Sequence, residues 1–312
     1  MLEDLLPDSV KFIQESCQEV EFADVRPEGP SDADVATILV DEEYQFRVAR
    51  SKAGRDCIEF EGRVLRALAG QLPLPIPEPL FSNLRDAESE PAFLGWKILP
   101  GVPLAPHVHD ALVVGNLSAR VVSQAADFMD ALHRLGAGTL GLALPRKETR
   151  EEVRNTYAEI RELLVPAMRP QAVAWTEQLF ERFLADDDYF QVQPAVRHGG
   201  LYGKNLLVDP QTGQVTGVLD FRFLALGDPA MDVATFATIS ELFFSRLYEA
   251  DRDQIGPLLS RAQYYKSILS LLPALEGART GNQQEFERGI APFTDLKPGI
   301  RAASHASSAS QP

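Results

Sequence analysis

The chain has 312 residues, 45% of them hydrophobic and 24% charged, and its formal net charge is −15. These values predict a folded protein with a sizeable core, in one large or two coupled domains, and argue against a disordered chain. The negative charge argues against a nucleic-acid or anionic-membrane partner, since phosphates are bound mainly by Lys and Arg, and leaves a cationic or neutral partner.

The beginning of the chain predicts a helix followed by a hairpin of two strands. The first eight residues are acidic and lack the apolar core of a secretory signal. Apolar residues at near-helical spacing then predict an amphipathic helix up to about Glu21. The alternating runs Val35–Val40 and Tyr44–Ala49 are separated by the acidic turn 41–43, a pattern typical of an antiparallel hairpin.

A second helix, an extended segment and a further strand are predicted next. Residues 56–69 have helical spacing and end at Gly70, before the proline-rich run 72–79, where a helix cannot continue. Residues 93–99 predict a strand. The stiff turn 100–103 that follows is a natural joint between two lobes.

The rest of the chain is predicted to be mainly helical, with one β-rich island at residues 195–224. Helical spacing continues after Pro229 and covers three earlier segments, 117–135, 151–164 and 173–184. The tail 301–312 has almost nothing to bury, so we expect it to be disordered.

The two cysteines, Cys17 and Cys57, have no metal-ligand spacing and are far apart, which predicts reduced, partly buried thiols. No apolar run approaches the roughly 18 residues that a membrane span needs. We therefore expect a cytoplasmic protein with neither a membrane nor a nucleic-acid partner.

The β-rich island carries the residues that point to chemistry. It predicts a loop, a buried strand, the turn 210–213 and a second buried strand that ends in Asp220. Asn205 lies just before the first of these strands, so its carboxamide and the Asp220 carboxylate can converge on one point. Oxygen ligands of this kind suit Mg²⁺ that carries nucleotide phosphates.

The island resembles the signature of the aminoglycoside phosphotransferase and choline kinase family, which has a protein-kinase-like fold. The family pattern H-G-D-L-x-x-x-N, I-D-F-G and G-D-P-x-x-D has ordered counterparts at His198, Asn205, Asp220, Asp228 and Asp232. The resemblance extends from about Phe22 to Phe293. It implies an α+β, bilobal fold: a small N-terminal lobe with an antiparallel sheet, and a larger, mainly helical C-terminal lobe.

The resemblance also implies boundaries and ligands. It divides the chain into a nucleotide-binding lobe at 1–95, a hinge at 96–104, a catalytic and substrate lobe at 105–300, and the tail. The phosphate donor would be ATP or GTP, the metal Mg²⁺, and the acceptor a small hydroxyl-bearing compound. The identity of the acceptor, the choice of nucleotide, and monomer or dimer all stay open.

The same resemblance gives roles to residues of the C-terminal lobe. Asn205 and Asp220 would bind Mg²⁺, and His198 would fix the catalytic loop rather than act as a general base. Asp228 and Asp232 would brace the lobe without touching the substrate.

In the N-terminal lobe, Arg47 occupies the strand position that contacts nucleotide phosphates, and Glu61 the helix position that pairs with it. Arg50 and Lys52 are other candidates for the phosphate contact, and Trp96 and Ile98, near the hinge, would contact the nucleotide. The alternative is that Arg47 is a solvated strand residue and Glu61 an ordinary charge on a helix surface.

Three positions depart from the family pattern. Gly200 stands where the family has the aspartate that accepts the proton of the acceptor hydroxyl, Arg47 replaces the usual lysine, and Arg222 replaces the glycine of Asp-Phe-Gly. Arginine keeps the charge and binds phosphate through two hydrogen bonds, so Arg47 preserves the nucleotide assignment. A cationic Arg222 near the metal could partly stand in for Mg²⁺ or crowd it.

Several functions stay open. The first is a small-molecule phosphotransferase weakened by Gly200, because a general base contributes about 10²–10⁴-fold to the rate and its loss need not abolish transfer. The alternative is an inactive pseudokinase that binds a nucleotide or metabolite as a sensor or scaffold, and a third possibility is nucleotidyl transfer. Gly200 could also be an engineered, polymorphic or erroneous position.

The segment after Asp232 bears on the acceptor. In aminoglycoside-modifying relatives this segment is rich in acidic residues, whereas Glu241 is the only carboxylate in 233–244 here. This departure argues against an antibiotic substrate, although the overall acidity leaves one open.

Overall fold

A computed structural model describes residues 6–20, 22–28, 34–84, 92–115, 117–136, 138–250 and 252–294. The tail predicted to be disordered lies outside these residues. The chain separates into two compact units, Met1–Lys147 with Val192–Gln263, and Glu148–Gln191 with Tyr264–Pro312. All the predicted site residues belong to the first unit.

The first unit begins with a five-stranded antiparallel sheet. Its strands are β1 (Val25–Pro27), β2 (Val35–Val40), β3 (Tyr44–Ala49), β4 (Phe81–Asn83) and β5 (Phe93–Lys97), in the spatial order β1-β2-β3-β5-β4. The β2–β3 hairpin has the bounds predicted from the sequence, because the alternation of side chains and the turn both mark them. Strands β1 and β4 are too short to show an alternating pattern.

One face of this sheet packs against helix α1 (Leu6–Ser16), which ends earlier than predicted. Ile13 of α1 joins Ile38, Phe46 and Phe93 in an apolar cluster. The ring of Phe46 lies over Gly95 on the neighbouring strand, where an added Cβ would come within 2.4 Å of the ring. A glycine is therefore needed at this point of β5.

Helix α2 (Lys52–Leu68) follows β3 and begins four residues before the predicted start. The hydroxyl of Ser51 accepts a hydrogen bond from the Gly54 N–H at 3.0 Å and so caps the first turn. The first turn of α2 lacks large apolar residues, so the apolar spacing of the sequence did not reveal where the helix begins. Ile58, Glu61 and Leu65 lie on the buried side of α2.

The predicted joint after β5 leads into a further strand. Strand β6 (Val102–Pro103) pairs with β8 (Leu206–Asp209), which pairs with β9 (Gln214–Val218). The sequence predicted only a turn here, because a two-residue strand carries no pattern of its own. A second ribbon joins β7 (Ala195–Arg197) to β10 (Ala225–Gly227).

The helices predicted for the second half are present. In the first unit they are α4 (Ser118–Arg134), α7 (Ala230–Ala237), α8 (Glu241–Ala250) and α9 (Arg252–Ile255), and a further helix, α3 (Pro106–Val114), was not predicted. In the second they are α5 (Arg150–Leu163), α6 (Pro170–Ala185), α11 (Leu272–Thr280) and α12 (Gln283–Ile290), while α10 (Leu259–Leu269) crosses the boundary. Among the described residues, no helix has the length and apolar character of a membrane span.

Candidate nucleotide and metal site

The loop between β7 and β8 has a backbone fixed by one buried carboxylate. Asp232, in the first turn of α7, accepts hydrogen bonds from the N–H groups of His198 at 2.9 Å and Gly199 at 2.6 Å. Nε2 of His133 lies 2.9 Å from the same carboxylate. Burial raises the pKa of Asp232, but the His133 contact, the charges nearby and the Gly199 bond together bring the pKa below its ordinary value. Asp232 therefore holds the loop as an anion.

Asp228 is also tied into the first unit. Its Oδ2 accepts a hydrogen bond from Nε of Arg261 at 2.6 Å, and its Oδ1 accepts one from the Ala230 N–H at 2.9 Å. The carboxylate thus links the start of α7 to α10. Both aspartates are buried among protein groups, the environment expected of bracing residues.

His198 is fully buried and directed into the interior of the loop. Its Nδ1 accepts a hydrogen bond from the Gly200 N–H at 3.1 Å, and its ring lies edge-on to Phe221, with 4.7 Å between centroids. A ring whose Nδ1 accepts is neutral and carries its proton on Nε2. Burial lowers the pKa of His198 and favours the same neutral form. The geometry suits loop fixing, and that role stays a prediction.

The two glycines after His198 differ in what they require. Gly199 has a φ of +76°, and an added Cβ would lie 1.8 Å from Nη1 of Arg197, so the position demands glycine. Gly200 is not in the left-handed region, and an added Cβ would meet Phe223 at 3.5 Å and Asn205 at 3.6 Å. These are ordinary contact distances, so a Cβ atom fits at Gly200.

The structure brings Asn205 and Asp220 together. Nδ2 of Asn205 donates a hydrogen bond to the Gly200 carbonyl at 2.8 Å and lies 3.5 Å from Oδ2 of Asp220. Asp220 follows β9 in the left-handed conformation, with φ 70° and ψ 65°. Its Oδ1 is buried and accepts no hydrogen bond from the part of the chain that the structure describes.

This pair of side chains fits a divalent cation of the Mg²⁺ type. A buried carboxylate oxygen without a hydrogen-bond donor, beside a carboxamide, supplies oxygen ligands that phosphate and water can complete. Within the described ranges, no group of three or more His, Cys, Asp or Glu side chains is placed to hold a metal. Phosphate and water would complete the coordination shell of such an ion.

Arg222 approaches the same carboxylate. Its Nε lies 2.8 Å from Oδ1 of Asp220, and its Nη2 lies 3.4 Å from Oδ2. The Nε contact is an ion pair whose angles are not those of a hydrogen bond. The guanidinium thus stands at the candidate metal site.

On the sheet side, Arg47 of β3 and Glu61 of α2 form an ion pair. They are only 9% and 2% exposed, so neither is a solvated surface charge. Burial raises the pKa of Glu61, while the charge of Arg47 and a hydrogen bond with the Phe221 backbone lower it. Helix α2 is thereby connected to the residue that follows Asp220.

The two predicted nucleotide contacts near the hinge are placed differently. Trp96 is buried, and its Nε1 donates to Oε1 of Gln45 at 3.0 Å, on the face of the sheet that carries Arg47. Ile98 lies beyond β5 and is 38% exposed, with its N–H bound to the Glu43 carbonyl. The indole is already paired within the sheet, whereas the side chain of Ile98 remains accessible.

Two further residues lie in this region, and sequence reasoning assigned neither of them to the site. Cys57 lies one turn before Glu61 on α2. Burial raises the pKa of its thiol, the charge of Arg47 lowers this pKa, and the charge of Asp220 raises it. Tyr202 lies in the loop after Gly200, and burial raises its pKa. The four-residue spacing from Glu61 could have shown Cys57, whereas nothing in the sequence marked Tyr202.

Proteins of known sequence match most of the chain. The model of the phosphotransferase enzyme family matches residues 27–265. Viomycin phosphotransferase of Streptomyces vinaceus is 28% identical over 254 residues, which cover 78% of this chain and 85% of that protein. The uncharacterized protein YcbJ of Bacillus subtilis strain 168 is 26% identical over 257 residues, covering 78% and 79%.

Solved structures resemble nearly the whole chain. The GDP and kanamycin complex of APH(2")-IIia has a TM-score of 0.81 and 21% identity, covering 91% of this chain and 96% of that one. Macrolide 2'-phosphotransferase type I has a TM-score of 0.68 and 18% identity, covering 94% and 98%. Likeness at such identities shows the fold, and the α+β, protein-kinase-like fold predicted from the sequence is confirmed.

Proposed function

Because the chain belongs to the phosphotransferase enzyme family, we propose that it transfers the γ-phosphate of ATP or GTP to a hydroxyl group of a small acceptor. Arg47 binds nucleotide phosphates, Trp96 and Ile98 line the site of the nucleotide, and Asn205 and Asp220 hold Mg²⁺. The ion, when bound, offsets the charge of the phosphates. We place the reaction in the cytoplasm, where the donor nucleotides are available.

The observation that carries the proposal is the connected set of contacts from Arg47 to Asp220. Arg47 pairs with Glu61, Glu61 is bound by the backbone of Phe221, and Asp220 lies beside Asn205. Phosphoryl transfer depends on positioning and on electrostatic stabilisation more than on covalent help from the protein. In this site Arg47 supplies a cation for the phosphates, and Asn205 and Asp220 supply ligands for a metal. Because one buried network fixes all three residues, the site provides both positioning and electrostatic stabilisation.

The acceptor we propose is small, bears a hydroxyl group and carries positive charge. The formal net charge of −15 favours a cationic compound over an anionic one. Viomycin gives one similar protein its name, and kanamycin is bound in another, so basic antibiotics are the first acceptors to test. Amino alcohols and sugars complete the panel, because the segment 233–244 contains a single carboxylate, Glu241.

Proton removal is the weak step of this site. The loop 198–205 contains no carboxylate, so the loop itself supplies no general base in place of an aspartate at Gly200. Positioning still brings the acceptor to the phosphate, but the rate lacks the contribution of a base, about 10²–10⁴-fold. We therefore expect slow transfer by this chain.

The test is Mg²⁺-dependent nucleotide consumption across the acceptor panel by the parent, Gly200→Asp and Gly138→Asp. The control adds the same side chain where a Cβ meets nothing within 4 Å. Gly200→Asp should raise kcat by about 10²-fold or more, whereas Gly138→Asp should leave it unchanged. Mass spectrometry of the product should find phosphate rather than a nucleotidyl group. No turnover by Gly200→Asp with any acceptor would contradict the proposal.

A second candidate is a nucleotide-binding protein that does not transfer phosphate, and Gly200 is the observation that favours it. In that case the parent should bind nucleotide with the same dependence on Asp220 and yet consume none. Transfer by the parent at a measurable rate on any acceptor would remove this candidate.

A further inference from the structure

The carboxylate proposed to bind the metal already faces a cation of the protein. Arg222 contacts both oxygens of Asp220, with Nε at 2.8 Å from Oδ1 and Nη2 at 3.4 Å from Oδ2. The two side chains are only 23% and 14% exposed, so water and salt screen the pair little. A guanidinium and a metal ion would therefore meet at one carboxylate.

The fold holds Arg222 in this position. It lies in the 3₁₀ turn Phe221–Phe223, whose first residue is bound to Glu61 and whose last carbonyl accepts a hydrogen bond from Nη1 of Arg197 at 2.7 Å. The guanidinium carbon lies 4.9 Å from the ring centroid of Phe223, a cation–π contact. A turn fixed at both ends and a stacked ring aim the guanidinium at Asp220.

A metal ion on Oδ1 of Asp220 would bring a second cation to the oxygen that Arg222 already contacts. A divalent ion binds carboxylate oxygen at about 2.0–2.6 Å, closer than the Nε contact that Oδ1 makes here. Two positive charges so close together in a partly buried site repel each other strongly. This repulsion drives the guanidinium away from Oδ1 when the metal arrives, and an incoming anion can then accept it. Phosphate suits it, because a guanidinium binds two phosphate oxygens at once.

We propose that Arg222 is an internal counter-ion of Asp220 that competes with the divalent cation and gives up the carboxylate when nucleotide phosphate accepts its guanidinium. This inference rests on the proposed function, because it requires metal and nucleotide to bind at one site. Its consequence is coupling: the metal binds weakly alone and tightly with nucleotide. Such coupling is reciprocal, so the metal strengthens nucleotide binding by the same factor.

The test measures Mn²⁺ binding to the full chain without nucleotide, from the electron paramagnetic resonance signal of free Mn²⁺. Arg222→Gln should bind Mn²⁺ about 10- to 1,000-fold more tightly than the parent, the factor by which a neighbouring arginine shifts the protonation of an aspartate. Arg63→Gln removes the same charge from the exposed side of α2 and should bind like the parent. Adding Asp220→Asn to Arg222→Gln should abolish the gain.

A second measurement reports the exchange directly. A non-hydrolysable ATP analogue should tighten Mn²⁺ binding to the parent by a larger factor than to Arg222→Gln. Only the parent has the Arg222 guanidinium, whose contact can move from Asp220 to phosphate. Circular dichroism checks that each variant is folded, and Arg222→Met replaces Arg222→Gln if the latter is not.

Equal Mn²⁺ affinities for Arg222→Gln and Arg63→Gln would overturn the inference. A failure of the proposed function has a different signature. In that case no variant binds the ATP analogue, while Arg222→Gln still gains Mn²⁺ affinity through Asp220.

Discussion

At the scale of single residues, burial shifts the pKa values of two groups near the loop that carries Gly200. His198 is fully buried, and burial lowers its pKa; Glu61 is buried beside Arg47, and burial raises its pKa. As the pH falls, His198 in the folded protein therefore binds a proton less readily than an ordinary histidine, and Glu61 binds one more readily than an ordinary glutamate. The contribution of His198 has to be isolated by comparing the parent with a variant.

We predict that the parent loses stability relative to His198→Gln as the medium becomes acidic. Below the ordinary histidine pKa of 6.5 the unfolded chain binds a proton, while the folded protein keeps the ring neutral until its lower pKa is reached. The loss is at most about 1.4 kcal/mol per pH unit. The glutamine amide can still accept the Gly200 N–H bond, so the variant keeps the contact without titrating.

Urea unfolding of both proteins at about pH 7.5 and about pH 5.5 measures this effect, and the difference in unfolding free energy should change by about 1 kcal/mol. Other titrating groups, including Glu61, are common to both proteins and cancel. The prediction is wrong if the difference is the same at both pH values.

The sequence predicted that Asn205 and Asp220 converge, because both lie at ends of paired strands, and the structure places them together. Their roles as metal ligands stay predictions. The sequence could not predict that the Arg222 guanidinium contacts the Asp220 carboxylate directly. This contact depends on the left-handed backbone conformation of Asp220 and on the turn that follows it, and neither feature can be recognised from the order of the residues.

At the scale of elements, the packing of β3 against β5 places Arg47 and Trp96 on one face of the sheet. On the other face the ring of Phe46 fills the space above Gly95. That ring cannot retreat, because other rings surround it at centroid distances of 5.7 Å for Phe81 and 6.1 Å for Phe93. The pairing of β3 with β5 in this register therefore requires a residue without a side chain, Gly95, opposite Phe46.

We predict that Gly95→Ala destabilises the protein by about 1–3 kcal/mol, the usual range for an extra methyl group in a packed core. Gly138→Ala is the control, since its Cβ would meet nothing within 4 Å. In Phe46→Leu the smaller side chain leaves room for the methyl group. The double variant should thus lose less stability than the sum of the two single changes. Urea unfolding gives all four values, and strict additivity would contradict the explanation.

Elements were predictable where the side-chain pattern extends over whole turns or strands. The β2–β3 hairpin has the predicted bounds, and α4 agrees with the prediction to within a residue at each end. The start of α2 was missed because Ser51 sets it through a cap rather than through apolar spacing. Strand β6 was missed because its pairing with β8 joins residues about a hundred positions apart.

At the scale of the whole molecule, the compact units do not follow the order of the chain. The first unit combines the sheet with the loop and strands that carry Gly200 and Asp220, and the second consists of two separate helical segments. Hydrophobic spacing reports on local structure only, so the sequence could suggest a joint near residue 100 but not this regrouping. The predicted lobe boundaries remain predictions.

Since every predicted site residue lies in the first unit, nucleotide binding should show itself in the stability of that unit. With Mg²⁺ and nucleotide at about 100 times Kd, mass action adds about 2.7 kcal/mol. For a unit of roughly 200 residues this corresponds to a rise in Tm of about 5–10 °C. Differential scanning calorimetry with ATP and with GTP measures the shift and identifies the preferred donor.

Two variants test where the nucleotide binds. Asp220→Ala should lose most of the shift in Tm, because the metal ligand is gone, whereas Gly200→Asp should keep it. If the units unfold in separate transitions, only that of the first should move; an undiminished shift in Asp220→Ala would place the nucleotide elsewhere.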